Sequence, residues 1–111
     1  MKNTIALATI LSLAISLPAW AEPHAAAALE HTNAAVTHGK AGHAPVLVEH
    51  AETALEHAKQ GAQVAKGEAK THLDAAVKSL EDAVKHGKMG HADVATKSAE
   101  EAVGHLKAGN P

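Results

Sequence analysis

Apolar and polar positions recur with a period of seven residues over most of the chain. Apolar side chains stand three residues before, two residues before and one residue after a regularly spaced polar position, as Leu47, Val48 and Ala51 do around His50. Seven residues make two turns of an α-helix, so these apolar sets line one face about 100° wide. The pattern predicts amphipathic helices in which the recurring polar position borders the apolar face.

Glycines divide this pattern into four segments. Gly39 to Gly42 and Gly87 to Gly90 interrupt it, and Gly61 and Gly67 bracket a third connection. Glycine readily adopts the turn conformations that other residues resist. The predicted helices are residues 24–38, 44–60, 68–86 and 92–108. Short connections favour antiparallel neighbours, so the predicted fold class is all-α, an antiparallel up-down four-helix bundle made of two duplicated helical hairpins.

The two hairpins are copies of one another. Residues 24–61 and 72–109 align without a gap and are identical at about 18 of 38 positions. The strings HGKAGHA and HGKMGHA fall at the same place in each copy. Many core-facing positions are alanine, which favours helix but buries little area. We therefore expect stable helices and a loosely packed core.

The first residues follow a different pattern. Lys2 precedes an apolar run over residues 5–17, and Ala19-Trp20-Ala21 places small residues where a signal peptidase cleaves. This predicts a cleaved secretory signal over residues 1–21 and a single domain over 22–111. The apolar run is shorter than a membrane span requires. We expect a periplasmic protein, or a secreted one where the host has no periplasm, without stable membrane insertion after cleavage.

Composition narrows the chemistry. The chain has ten histidines, no cysteine and a formal net charge of −2. Disulfides and thiolate metal sites are therefore excluded, and a mildly acidic chain does not suit nucleic acid. No nucleophile with a base and no haem-attachment motif is present, so we expect no enzyme activity. We expect a monomer, and the sequence indicates no protein partner.

The recurring polar position is usually histidine. The ten histidines are His24, His31, His38, His43, His50, His57, His72, His86, His91 and His105. Most are separated by seven or fourteen residues, and by five across each glycine turn. In the register of the duplication, Ser79 and Ser98 stand where the first half has His31 and His50. A solvated helix face needs only polarity, so histidines kept in this register favour metal binding.

Imidazole binds copper(II), nickel(II), zinc(II) and cobalt(II), and copper(II) leads by the general affinity order. All ten histidines are candidate ligands. Two histidines seven residues apart on one helix are separated by about 10.5 Å, whereas metal–nitrogen bonds are about 2 Å long. Histidines spaced by seven residues along one helix therefore cannot chelate an ion by themselves.

Three arrangements can bring ligands together. Antiparallel packing would place His31 near His50 and His38 near His43. The glycine turns would also pair His86 with His91, and these turn pairs are favoured because both halves retain them. A carboxylate one helical turn away could assist a histidine. The pairs with that spacing are Glu68 with His72, Asp82 with His86 and Glu101 with His105.

The segments HGKMGHADVATKSAEEAVGHLKAG and EHAETALEHAKQG, behind a signal peptide, resemble the small metal-binding protein family of periplasmic histidine-rich proteins. The resemblance covers essentially all of residues 22–111. It implies a periplasmic protein that binds several divalent ions, copper(II) foremost, for metal storage, delivery or tolerance. It also implies that the ten histidines are the ligands. Ser79 and Ser98 depart from the repeat, which implies a smaller capacity in the second half.

A structural or pH-sensing helical scaffold without a physiological metal is the alternative. Histidine titrates near pH 6.5, so acidification would charge the histidine positions and loosen the bundle. A role on a membrane surface is less favoured, because the apolar face lacks the Trp and Phe that anchor interfacial helices.

Overall fold

The computed structural model describes residues 23–110, and in that range the chain forms four α-helices. The helices are α1 Pro23–Lys40, α2 Ala44–Val64, α3 Gly67–Lys88 and α4 Ala92–Gly109. Consecutive helices pack on each other, α1 also packs on α4, and the diagonal pairs barely touch. The fold is therefore the predicted up-down four-helix bundle. The proposed signal peptide, residues 1–21, lies outside the described residues.

The helices extend further than the glycine positions predicted. Gly39 and Gly87 belong to the last turns of α1 and α3, and α2 continues through Gly61 to Val64. The prediction that Gly61 opens the connection between the hairpins is wrong. Glycine in a helix costs about 1 kcal/mol relative to alanine. Gly61 and Ala62 are buried against the rest of the bundle, and we attribute the longer helix to that burial.

The core consists of the positions three residues before and one residue after each histidine position. Its largest fully buried hydrophobic side chains are Leu47, Leu73, Leu80 and Leu106, and the rest of the core is almost entirely alanine. Leucine and valine two residues before the histidines, such as Val36 and Val84, are partly buried against this core. The predicted apolar face is confirmed, with the histidines at its edge. None of the four described helices is long and apolar enough to cross a membrane.

Two kinds of interface alternate around the bundle. Within each hairpin, the edge of one helix that carries the histidine positions faces the same edge of the other helix. The histidine positions therefore meet inside each hairpin. Val48 and Thr96, each two residues before a histidine position, lie instead between the hairpins. There, an added Cβ at Gly87 would lie 2.6 Å from Val48 Cγ2, and one at Gly39 would overlap Thr96 Oγ1. Thr96 stands where Val48 stands in the first half, so the hairpins pack with approximate twofold symmetry.

Candidate metal centre

The glycine turns bring the histidines at the end of each hairpin together. The backbone N–H of His43 donates to the carbonyl of His38 at 2.9 Å, and that of Gly42 donates to Gly39, also at 2.9 Å. Gly42 has a φ of 81°. This is a Schellman motif, whose geometry normally places two apolar side chains in contact, at the third-last helical position and just beyond the turn. In this chain both positions are histidine.

The second hairpin has the same turn. The N–H of His91 donates to the carbonyl of His86 at 2.9 Å, and Gly90, with a φ of 80°, donates to Gly87 at 3.0 Å. The ring centroids are 6.3 Å apart both for His38 with His43 and for His86 with His91. The spacing HGKxGH therefore encodes a pair of neighbouring imidazoles, as the sequence predicted.

Six imidazoles form an unbroken zigzag along the interface between α1 and α2, which we call the first row. Its members, in spatial order, are His43, His38, His50, His31, His57 and His24. Successive ring centroids are 6.3, 5.5, 5.7, 5.9 and 5.5 Å apart. All are half-buried except His43, which is exposed. Each interior ring thus contacts one ring on either side of it.

Two pairs within the first row already have nitrogen spacings that suit one ion. The Nδ1 atoms are 3.3 Å apart in His24 and His57, and 3.5 Å apart in His31 and His50. An ion with bonds of about 2.0 Å holds two nitrogens about 2.8 Å apart at a right angle and about 4.0 Å apart when they are opposite. Both observed distances fall inside that range, so the nitrogen spacing in either pair is compatible with a shared ion.

The second hairpin carries two separate pairs in place of a row. His72 and His105 have ring centroids 6.0 Å apart, and His86 and His91 form the turn pair. Ser79 and Ser98 occupy the positions between them. The Ser79 hydroxyl donates to a carboxylate oxygen of Glu101 at 3.4 Å. The serines therefore interrupt what is a continuous row in the first hairpin.

His86 supplies a further sign of ligand chemistry. Its Nδ1 atom is buried and has no hydrogen-bond partner among the described residues. A buried ring nitrogen without a partner costs about 1–3 kcal/mol. A metal ion bound to that nitrogen would satisfy it, and two neighbouring imidazoles are a donor set that fits a metal.

Between residues 23 and 110, no three His, Asp or Glu side chains converge as they stand on a common ion position. The candidate coordination units are therefore imidazole pairs, to which water or a moving side chain would supply the remaining ligands. The proposed carboxylate assistance at Glu68, Asp82 and Glu101 stays a prediction. In the described bundle, Glu101 instead accepts a hydrogen bond from Ser79.

The structure brings all ten predicted histidines into ring contacts. The pairs His31 with His50, His38 with His43 and His86 with His91 were expected from the sequence. Sequence reasoning missed the other contacts, which are His24 with His57, His31 with His57, His38 with His50 and His72 with His105. Stepping seven residues along both helices from His31–His50 gives His24–His57, and two such steps from His86–His91 give His72–His105. The diagonal contacts of His31 with His57 and of His38 with His50 depend on the exact offset of α1 against α2.

A four-helix bundle with imidazoles paired inside each hairpin belongs to the class of small helical metal-binding proteins. The chain matches the small metal-binding protein family over residues 1–109, and it belongs to that family. The family's description is that of a metal-binding protein, not of an enzyme. No curated protein matches the chain in sequence.

The turn pairs can be tested without altering a histidine. An added Cβ at Gly42 meets no atom within 4 Å, so Gly42→Val acts through its backbone, where the positive φ costs about 1–2 kcal/mol. We expect the turn to rearrange, His38 and His43 to separate, and copper(II) bound per molecule in a calorimetric titration to fall by about one. Gly42→Asn is the matched control, because asparagine tolerates this conformation. Equal copper(II) binding by both variants would contradict a site at this turn.

Proposed function

We propose that this protein binds divalent transition-metal ions, copper(II) foremost, through its histidine pairs, and that it stores, delivers or detoxifies these ions in the periplasm. The observation that carries the proposal is the set of paired imidazoles along both hairpins. Family membership supports metal binding in general. The ion, the ligands and the location are the finer part of the proposal.

The donor chemistry favours copper(II) among the candidates. Every paired donor is an imidazole nitrogen, and the chain has no cysteine. Met89, the single methionine in residues 23–110, is exposed at the turn of the second hairpin. Nitrogen ligands without thiolates suit copper(II), nickel(II), zinc(II) and cobalt(II), and the affinity order places copper(II) first.

Paired imidazoles suit storage or delivery better than a structural role. A structural zinc site is closed by four protein ligands, whereas two imidazoles leave coordination positions for water or an acceptor's ligands. The rings are half-buried or exposed at the bundle surface. An acceptor could therefore reach an ion bound to these pairs.

Calorimetry with copper(II) at neutral pH tests this function. Non-overlapping pairs give three ions on the first row and two on the second hairpin, so we expect about five per molecule. Affinity should weaken in acid, because protons compete with metal for the ring nitrogens. Absence of binding at micromolar copper(II) would contradict the proposal.

The scaffold alternative makes a different prediction in the same experiment. A pH-sensing bundle would lose helical circular dichroism in acid whether or not copper(II) is present, and it would bind no ion at neutral pH.

The periplasmic location is proposed from residues 1–21 and is tested by cell fractionation. The protein is expected in the periplasmic fraction, with Glu22 as its first residue.

A further inference from the structure

The two hairpins differ in the continuity of their imidazoles. In the first row every interior ring belongs to two pairs, because His31 contacts both His50 and His57, and His50 contacts both His31 and His38. In the second hairpin the His72–His105 pair and the His86–His91 pair share no ring, and serines stand between them. The duplication thus provides a continuous and an interrupted version of one arrangement.

We infer that ions move along the first row from pair to pair without leaving the protein, whereas the second hairpin holds its ions in place. This inference rests on the proposed function, since it concerns ions bound to these pairs. An ion shared by His31 and His50 lies beside the rings of His57 and His38. Once the next ring turns toward the ion, the ion can gain a new imidazole before it has lost both old ones.

Each step exchanges one ligand. The ion forms a bond to the Nδ1 or Nε2 of the next ring and breaks its bond to the ring behind. The imidazole between these two rings in the row stays bound throughout. No electron or proton is transferred, because both rings coordinate as neutral ligands. Two steps advance the ion by seven residues on each helix, so one step covers about 5 Å.

The same movement is not available in the second hairpin. His72 and His86 are fourteen residues apart on α3, which is about 21 Å along the helix. No imidazole lies between the two pairs, since Ser79 and Ser98 stand there. An ion must dissociate fully to pass from one pair to the other, so exchange between the pairs is no faster than dissociation.

Exchange spectroscopy on imidazole resonances tests the inference, with diamagnetic zinc(II) at one equivalent per molecule of purified protein. In the first row we expect exchange between zinc-bound and zinc-free rings at least tenfold faster than the loss of zinc from the protein to an excess of added chelator. In the second hairpin we expect exchange between the two pairs no faster than that loss, because the ion must first dissociate. First-row exchange no faster than the loss of zinc to the chelator would overturn the inference.

The chain supplies matched variants. His31→Ser with His50→Ser copies the interruption of the second hairpin, and it should slow exchange between the His24–His57 and His38–His43 pairs at least tenfold. Ser79→His with Ser98→His should make exchange in the second hairpin faster than the loss of zinc to the chelator, whereas Ser79→Ala with Ser98→Ala should not. Ser79 is 7% exposed; if histidine there prevents folding, the first-row serine variant decides.

Two failures can be told apart. If neither zinc(II) nor copper(II) binds, the proposed function fails and this inference fails with it. If copper(II) and zinc(II) bind in the expected numbers while the first-row serine variant exchanges zinc as fast as the unaltered protein, only the movement along the row is overturned.

Discussion

Replacement of all six first-row histidines by glutamine is expected to lower bound copper(II) from about five ions per molecule to about two. The first row offers three non-overlapping pairs and the second hairpin two. Because one imidazole alone cannot chelate, the loss of a pair should lower the number of bound ions by one instead of only weakening the binding of that ion. Metal analysis after gel filtration at neutral pH measures the number directly.

The complementary variant changes His72, His86, His91 and His105 to glutamine and should retain about three ions. Glutamine is a good helix former, and the histidines flank the core without filling it, so both variants should keep their helical circular dichroism. Equal losses from the two variants, or a loss from only one of them, would show that ions are not divided between the hairpins as the pairs indicate.

The sequence predicted the bundle well because one period served two purposes. The seven-residue repeat placed alanine and leucine in the core and histidine beside it, and the buried positions of Ala28, Leu47 and Leu106 follow that pattern directly. The turn pairs were also predictable, because a spacing of five residues across a glycine turn fixes His38 against His43. At these positions the spacing of the residues along the chain is enough to predict both the core and the neighbouring imidazoles.

Other features depended on tertiary register and could not be read from one segment. Whether His31 contacts one ring or two depends on how α1 slides against α2, and that is set by the turn and by core packing together. The end of α2 was mispredicted because Gly61 reads as a breaker, while its burial in the assembled bundle is visible only in three dimensions. The division into a continuous row and two separate pairs likewise became visible only after folding.

Gly39→Val is expected to destabilise the bundle by about 2–3 kcal/mol, the upper part of the range found when side chains are forced into a packed core. A Cβ at Gly39 would overlap Thr96 Oγ1 of α4 and lie 2.6 Å from Leu47 Cδ1 of α2. Thr96 is buried, and its hydroxyl donates to the Ala92 carbonyl at 2.6 Å, so rotating it away breaks that bond. For a domain of this size, the melting temperature should fall by more than about 10 °C.

Gly104→Ala is the matched control for Gly39→Val, because an added Cβ at Gly104 meets no atom within 4 Å. Alanine is favoured over glycine inside a helix by up to about 1 kcal/mol, so this variant should melt slightly higher than the unaltered protein.

Copper(II) adds a second test, since an ion that binds only the folded bundle stabilises it in proportion to the logarithm of its concentration. Saturating copper(II) should therefore raise the melting temperature of Gly39→Val. If Gly39→Val melts like Gly104→Ala, the close packing at Gly39 is contradicted. If copper(II) does not raise the melting temperature of Gly39→Val, the coupling between metal binding and folding is contradicted.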